Sequence, residues 1–213
     1  MYKAIVFDMD GTLADTDLVI VATYIKMFKK FRPDFVPSLK EMVYFSGPPL
    51  DLTLKTYFPN YDYDFILKEY KRLSKPNYKK YILPFPNERE ALEKLKSYGY
   101  HLVVLTNKVH SATMLSLALM NIPASLFDMI IGSDDMPLPK PDPSGMRIVM
   151  EKLRLQSNEV LYVGDNGVDF QLAENAGIDS MLVTWTLREI PQYAKPKYFV
   201  SSFADIVEVL TNG

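Results

Sequence analysis

The stretch Lys3-Ala4-Ile5-Val6-Phe7-Asp8-Met9-Asp10-Gly11-Thr12 contains the strongest indication of the fold. Residues 3–7 form a mostly apolar run that is too short for a helix and does not alternate with polar residues. Such runs are typical of strands buried on both faces of a parallel sheet. Asp8 and Asp10 follow directly, at the end of a strand where open α/β sheets bind their ligands. Asp-Gly is also a common turn dipeptide, but a turn alone does not explain two acids that end a buried strand.

Four more short apolar runs predict the other strands of this sheet: Tyr100–Leu105, Met129–Ile131, Val160–Val163 and Met181–Thr184. Segments with helical character lie between most of them or follow them: Glu88–Tyr98, Val109–Met120, Ser144–Leu155, Val168–Ala176 and Phe203–Leu210. Because strands alternate with helices, the sequence predicts an α/β protein with a doubly wound, Rossmann-like parallel sheet.

One long segment interrupts this alternation. Residues 8–99 separate the first strand from the second, far more than an ordinary crossover connection. Helices are predicted there at Asp15–Lys30, Leu39–Tyr44, Pro49–Tyr57 and Asp64–Tyr78, interrupted by Pro33, Pro37, Pro59 and Pro76. The simplest interpretation is a helical insertion with a tyrosine-rich surface. The more specific hypothesis is an α-helical cap domain, residues 15–83, that folds over a core domain formed by residues 1–14 and 84–213.

The composition limits the chemistry that is available. The 213 residues are 48% hydrophobic and 23% charged, which is enough apolar material for a packed core. The chain has no cysteine, so thiol nucleophiles and Cys-ligated metals are excluded, and two histidines, His101 and His110, cannot form a three-histidine site. A formal net charge of −2 gives no general footprint for nucleic acid. No apolar run suggests a signal peptide or membrane span, so we expect a cytoplasmic protein without nucleic-acid or membrane partners.

A second acidic pair follows the fourth predicted strand, in Gly164-Asp165-Asn166-Gly167-Val168-Asp169. Asp169 falls in the first turn of the next helix, where an acid also has an ordinary role with the helix dipole. If both acidic pairs meet at one edge of the sheet, four carboxylates repel one another unless a cation lies among them. Oxygen-only ligands favour Mg²⁺; two unrelated acidic turns are the alternative.

Two further motifs would complete a phosphate site. Thr106-Asn107-Lys108 ends the second strand beside the N-terminus of the next helix, a natural location for an anion, although an ordinary helix N-cap explains it equally well. Lys140 lies in Pro139-Lys140-Pro141-Asp142-Pro143, whose prolines restrict the backbone and would allow the ammonium to be directed inward. A single lysine is more often exposed, and we interpret Lys140 as a counter-charge because the acidic cluster needs one.

Taken together and in this order, the motifs resemble those of the haloacid dehalogenase superfamily of phosphohydrolases, over nearly the whole chain. The four signatures are Asp8-Met9-Asp10-Gly11-Thr12, Thr106-Asn107, Lys140, and Gly164-Asp165 with Asp169. The long insertion resembles the type-one helical cap of that superfamily. Within it, residues 8–16, 106–108 and 46–50 look most like phosphoglycolate phosphatases and related small-molecule phosphatases.

The resemblance implies a mechanism. Asp8 would be the nucleophile that forms an aspartyl-phosphate, and Asp10 would protonate the leaving alcohol and then deprotonate water. Mg²⁺ would be held by Asp8, the backbone carbonyl of Asp10 and Asp165, with Asp169 as a further ligand or as an acid behind them.

The resemblance also implies the residues that bind substrate. Thr106, Asn107 and Lys140 would bind the phosphate oxygens. Gly47, in Gly47-Pro48-Pro49-Leu50, would contact substrate if this loop faces the core, whereas a simple turn between helices explains the loop equally well.

The expected function is therefore Mg²⁺-dependent hydrolysis of a small-molecule phosphate monoester. Asp10 favours a phosphate ester over an organic halide as the substrate, because cleavage of a carbon–halogen bond does not require protonation of an alcohol. A pyrophosphatase, nucleotidase or sugar-phosphate phosphatase of the same superfamily is the alternative. A noncatalytic protein or a phospho-acceptor on this fold is a further alternative, although no catalytic part is missing. The residues do not indicate whether the protein is a monomer or a homodimer.

Overall fold

The computed structural model describes residues 1–211. The strands, in chain order, are β1 (Ala4–Phe7), β2 (Ala14–Asp15), β3 (Leu83–Pro84), β4 (His101–Leu105), β5 (Met129–Ile131), β6 (Val160–Gly164), β7 (Asp179–Val183) and β8 (Tyr198–Val200). The helices are α1 (Asp17–Phe31), α2 (Leu39–Val43), α3 (Leu50–Tyr57), α4 (Tyr63–Tyr81), α5 (Glu88–Ser97), α6 (His110–Leu119), α7 (Ser144–Leu153), α8 (Gly167–Ala176) and α9 (Phe203–Thr211).

Six of the strands form one parallel sheet in the order β5-β4-β1-β6-β7-β8. Every neighbouring pair runs parallel, and β1 lies between β4 and β6. All four residues of β1 are buried because helices cover both faces of the sheet. The predicted doubly wound α/β fold is confirmed.

The two faces of the sheet bury different sets of side chains. One face packs against α5, α6 and α9, through residues such as Leu92, Leu117 and Val207. The other packs against α7 and α8, through Val149 and Leu172. Helices on both faces leave the carboxyl ends of the strands as the open edge of the sheet.

The insertion between β1 and β4 has an apolar cluster of its own. Tyr24, Phe28, Leu54, Phe58 and Ile66 of the segment from α1 to α4 pack together, with the Phe28 and Phe58 rings 5.0 Å apart. The chain enters and leaves this segment through β2 and β3, which pair antiparallel. The division into a core and a cap at residues 15–83 stays a prediction, which this separate cluster supports.

Three details differ from the sequence-based expectation. Strand β8 was not predicted, because three residues after a proline-containing loop resemble loop until they pair with β7. The pair β2–β3 was not predicted either. Helix α4 continues through Pro76 to Tyr81; the proline ring is exposed, and buried neighbours such as Asn77 and Tyr78 hold the helix in place. In residues 1–211, no helix has the length and apolarity needed to cross a membrane.

Candidate active site

The site lies at the carboxyl end of the central strand. Phe7 pairs with Val104 of β4 and Val163 of β6. The residues that follow these three strands therefore meet at one edge of the sheet, as expected for parallel strands. Asp8 follows β1 directly, its amide bonds to the Val163 carbonyl at 2.9 Å, and its side chain is buried.

Lys140 is the positive charge at the centre of the site. Its side chain is 1% exposed, and Nζ lies 2.7 Å from Asp8 Oδ1 and 2.7 Å from Asp169 Oδ1. Nζ also donates to the Tyr162 hydroxyl at 2.8 Å. Burial lowers the pKa of Lys140, but the two carboxylates outweigh burial and raise it to about 12. Lys140 is therefore a charged ammonium directed into the acidic cluster.

Three buried carboxylates form a cluster that includes both carboxylate partners of this ammonium. Oxygens of Asp8, Asp165 and Asp169 lie within 4.8 Å of one another. Burial raises the pKa of Asp8 to about 6, against the opposing effect of Lys140, and burial also raises the pKa of Asp165. Asp8 Oδ1 accepts no hydrogen bond at a favourable angle, although Lys140 Nζ is near. A buried oxygen with unused bonding capacity, in an oxygen-only cluster with excess negative charge, fits a divalent cation.

Protein donors occupy both oxygens of Asp169. Oδ2 accepts from the backbone amides of Asp165 and Asn166 at 3.0 and 3.2 Å, and Oδ1 accepts from Lys140 at 2.7 Å. Gly164 permits this arrangement, since a Cβ there would overlap the Asp169 side chain. The geometry favours a role for Asp169 in positioning Lys140 and the loop, whereas Asp8 Oδ1 accepts no hydrogen bond and keeps its capacity to bind a metal ion.

The Asp10 carboxylate is directed away from this cluster. Asp10 Oδ1 lies 2.6 Å from Lys108 Nζ, and that ammonium lies 4.7 Å from the centre of the Tyr78 ring. Burial lowers the pKa of Lys108, but Asp10 and Tyr78 outweigh burial and raise it above its ordinary value. Lys108 therefore holds the Asp10 carboxylate at a fixed place, and a metal contact by Asp10 would fall to its backbone carbonyl.

Asn107 joins the core to the inserted helices. Its Nδ2 donates to the Gly47 carbonyl at 2.8 Å and to the Lys140 carbonyl at 3.1 Å, while its Oδ1 accepts from the Lys140 amide at 2.8 Å. Both amide hydrogens of Asn107 are thus used in positioning Lys140 and the loop that carries Gly47. Thr106, the preceding residue, is buried at the same edge, and its Oγ1 accepts from the Lys108 amide at 3.2 Å.

A cavity of about 650 Å³ lies between this edge of the sheet and the inserted helices. Its core side includes the acids and the polar loop after β4: Asp8, Asp10, Thr106, Asn107 and Lys108. Its other side is largely apolar and aromatic: Ile20, Phe45, Leu67, Tyr70, Tyr78 and the loop Gly47, Pro48, Pro49 and Leu50. The loop at residues 47–50 therefore faces the core.

Comparison with known proteins gives the family. The sequence profile described as haloacid dehalogenase-like hydrolase matches residues 5–183. The chain belongs to the haloacid dehalogenase-like hydrolases.

Known proteins are similar to this hydrolase over 97% or more of its length. It is 29% identical over 208 residues to Pyrophosphatase PpaX of Bacillus velezensis, covering 97% of this chain and 95% of that protein. It also superimposes on a predicted phosphoglycolate phosphatase from Haemophilus somnus, with a TM-score of 0.83, 26% identity and coverage of 99% of this chain and 98% of that one. A predicted phosphatase from Clostridium acetobutylicum gives a TM-score of 0.84, 27% identity and 100% coverage of both chains.

These comparisons confirm the resemblance and the predicted class of enzyme, a phosphatase of this superfamily. Hydrolases of the superfamily use a divalent metal, and the buried cluster of Asp8, Asp165 and Asp169 agrees with that requirement. The identity of the metal and the individual roles of the site residues stay predictions.

Two charged residues of the hydrolase received no role from its sequence. Lys108 adjoins Thr106-Asn107, so its position beside a motif was a usable signal. Arg188 lies in the loop between β7 and β8, yet its side chain is fully buried and pairs with both Asp165 and Asp17. No motif surrounds Arg188, and its neighbours in the sequence do not indicate where its guanidinium lies.

Proposed function

We propose that this hydrolase is a Mg²⁺-dependent phosphatase that cleaves a small-molecule phosphate monoester through an aspartyl-phosphate on Asp8. One observation carries the proposal: Asp8 lines the cavity while its carboxylate faces Lys140 and the carboxylate cluster. A substrate in the cavity could reach a nucleophile in that position, and the Lys140 ammonium would neutralise the charge of the nucleophile.

The chain's own residues supply the covalent steps. An Asp8 oxygen attacks phosphorus, and the bond from phosphorus to the leaving oxygen breaks as that oxygen takes a proton from Asp10, which releases the alcohol. Asp10 then takes a proton from water as that water attacks the aspartyl-phosphate, which releases inorganic phosphate and restores Asp8. Asp10 lines the cavity, and its Oδ1 lies 2.6 Å from Lys108 Nζ, so its carboxyl group is held where a leaving group in the cavity could reach it.

The remaining residues of the site position and neutralise the phosphoryl group. Lys140 and the Thr106 hydroxyl are proposed to contact the non-bridging oxygens, while Asn107 fixes Lys140 through its backbone. Mg²⁺ bound by Asp8 and Asp165 would supply further neutralisation of the phosphate oxygens. The inserted helices, proposed as a cap domain at residues 15–83, would exclude water from the cavity.

The cavity favours an organic phosphate as substrate. Its volume of about 650 Å³ is in the range of about 300–1,000 Å³ that proteins use for drug-sized ligands. Its apolar wall, with Phe45, Leu67 and Tyr70, would contact an organic group. A substrate as small as phosphoglycolate would fill only part of this space.

Inorganic pyrophosphate is the second candidate. Lys71, Lys75 and Lys108 line the same cavity, and ammonium groups there would hold a second phosphate in place of an organic group. The similar protein from Bacillus velezensis is named a pyrophosphatase. Pyrophosphate is therefore one of the substrates to be tested.

The test is phosphate release from a panel of metabolite phosphates that includes phosphoglycolate, pyrophosphate, nucleotides and sugar phosphates, with Mg²⁺ and with EDTA. Asp8→Asn should abolish turnover on every substrate, whereas Asp34→Asn, at an exposed position of the insertion, should retain it. Acid-quenched wild-type enzyme should carry label from a labelled substrate, and Asp8→Asn should not. Near-normal turnover by Asp8→Asn would refute the covalent mechanism.

A further inference from the structure

Arg188 places a second positive charge against the carboxylate cluster. Its guanidinium has three partners in three parts of the chain: Nη1 pairs with Asp165 Oδ2, Nη2 with Asp17 Oδ1 at 2.7 Å, and Nε donates to the Val43 carbonyl at 3.1 Å. Asp165 follows β6 in the core, whereas Asp17 begins α1 and Val43 ends α2. One side chain thus joins the acidic cluster to two of the inserted helices.

The position of the guanidinium on Asp165 is the informative part. Asp165 Oδ1 accepts from Asn166 Nδ2 at 2.9 Å, and Oδ2 is the oxygen paired with Arg188. A Cβ at Gly11 would overlap both Asp165 Oδ2 and Arg188 Nη1, so the guanidinium lies directly against the backbone of the first motif. Both oxygens of Asp165 are therefore engaged by protein donors in this arrangement.

Arg188 has no evident task in binding the organic substrate. Among the described residues it is not part of the wall of the 650 Å³ cavity, and its side chain has no exposed surface. Burial lowers its pKa, but Asp165 and Asp17 outweigh burial and raise it. The side chain is thus a permanent cation, and one of its two carboxylate partners, Asp165, belongs to the cluster that a metal ion would also use.

We propose that Arg188 is an internal counter-ion that competes with the divalent metal for Asp165 and ties the inserted helices to the core when no metal is bound. A metal ion and a guanidinium repel each other and both need the Asp165 oxygens. The two interactions must therefore weaken each other by the same factor. The inference rests on the proposed function, because it takes Asp165 as a ligand of the metal.

The proposal has a counter-intuitive consequence for metal affinity. Removal of Arg188 leaves Asp165 and Asp17 without their cation, which destabilises the metal-free protein. The same change leaves more negative charge for the metal, so the metal-free enzyme should bind Mg²⁺ more tightly. A coupling of ordinary size predicts a gain in affinity of about 5–150-fold.

The experiment compares metal binding in wild type, Arg188→Met, Arg188→Lys and the control Arg89→Met. Arg89 is an exposed arginine that pairs with Glu93 on α5. Each protein is stripped with EDTA, Mg²⁺ affinity is measured by isothermal titration calorimetry, and Mn²⁺ affinity by the loss of the free-ion electron paramagnetic resonance signal. Thermal unfolding is measured with EDTA and with excess Mg²⁺.

Arg188→Met should bind both metals at least about fivefold more tightly than wild type. It should also unfold at a lower temperature in EDTA and gain more from added Mg²⁺. Arg188→Lys keeps the positive charge, but an ammonium cannot reach all three partners. Its metal affinity should therefore lie between those of wild type and Arg188→Met. Arg89→Met should match wild type.

Metal binding by folded Arg188→Met that is equal to or weaker than that of wild type would overturn the proposal. If Arg188 had a purely structural role, the unfolding temperature of Arg188→Met would fall by the same amount with and without Mg²⁺. If Arg188→Met does not fold, Arg188→Lys decides: affinity equal to or below wild type would overturn the proposal. Failure of wild type to bind either metal would instead refute the metal site of the proposed function.

Discussion

Replacement of Asn107 by alanine tests whether one amide side chain holds the site together. The change removes three hydrogen bonds, to the Gly47 carbonyl, the Lys140 carbonyl and the Lys140 amide. Each is worth about 0.5–1.5 kcal/mol net. Since Asn107 and Lys140 are both buried, the backbone groups left behind gain little from water. The free energy of unfolding should therefore fall by about 2–4 kcal/mol.

That loss corresponds to a lower unfolding temperature by about 4–16 °C, because 1 kcal/mol shifts a protein of this size by about 2–4 °C. Activity should fall as well, since both Lys140 and the Gly47 loop lose an anchor. A displacement near 1 Å costs about 10²-fold in rate, and kcat/KM should drop by about 10–100-fold.

The assay is thermal and urea unfolding together with steady-state kinetics on the best substrate of the panel. Asn175→Ala is the matched control, because Asn175 is exposed and donates one hydrogen bond, at 2.9 Å, to the Pro141 carbonyl. An Asn107→Ala protein that unfolds within about 1 °C of the control and keeps its kcat/KM would refute the reasoning.

Buried ionisable groups and the metal site give three more expectations. Burial raises the pKa of Glu88 to about 9 from 4.5, so the unfolded chain ionises first as pH rises and stability falls by about 1.4 kcal/mol per pH unit between those values. Glu88→Gln should remove this loss, so its free energy of unfolding relative to wild type should rise by about 2–3 kcal/mol between about pH 5.5 and about pH 7.5, measured by urea unfolding. A difference between the two proteins that does not change with pH would show that folded Glu88 is ionised. Lys140→Ala leaves the buried Asp8 and Asp169 carboxylates without their cation. Its free energy of unfolding should therefore fall by about 3–5 kcal/mol, and its phosphatase activity should be lost. A variant as stable as wild type would contradict the assignment of a charged Lys140. Mg²⁺ at about 100 times its Kd should stabilise wild type by about 2.7 kcal/mol in calorimetry, and an unchanged unfolding temperature would argue against the metal site.

Much of the core followed from local patterns. The short apolar strands were visible because a strand buried on both faces needs continuous apolar residues, and five of the six sheet strands were placed within two residues of their ends. The sixth, β8, has only three residues and is stabilised by pairing with β7, an interaction that local sequence does not encode. The acids after β1 and β6 were predicted to meet because parallel strands place their carboxyl ends together.

The assignment of tasks within the site required the folded chain. Asn107 was expected to contact phosphate, and the structure shows its amide hydrogens on the carbonyls of Gly47 and Lys140. Asp169 was left open as a ligand or a supporting acid, and its oxygens are taken by Lys140 and two backbone amides. Hydrogen-bond capacity is finite, so what a polar group can still bind depends on which donors the fold has already brought to it.

The sequence alone thus predicted five strands of the sheet and the family, because each depends on residue type and on spacing along a strand or turn. The set of reacting residues was also proposed from the sequence, and it stays a prediction. The sequence did not predict the pairing of Arg188 with Asp165 and Asp17, which lie 23 and 171 residues away along the chain. A long, flexible arginine side chain pairs with the carboxylates that lie within its reach in the folded chain. Only the packing of the inserted helices against the core decides which carboxylates those are.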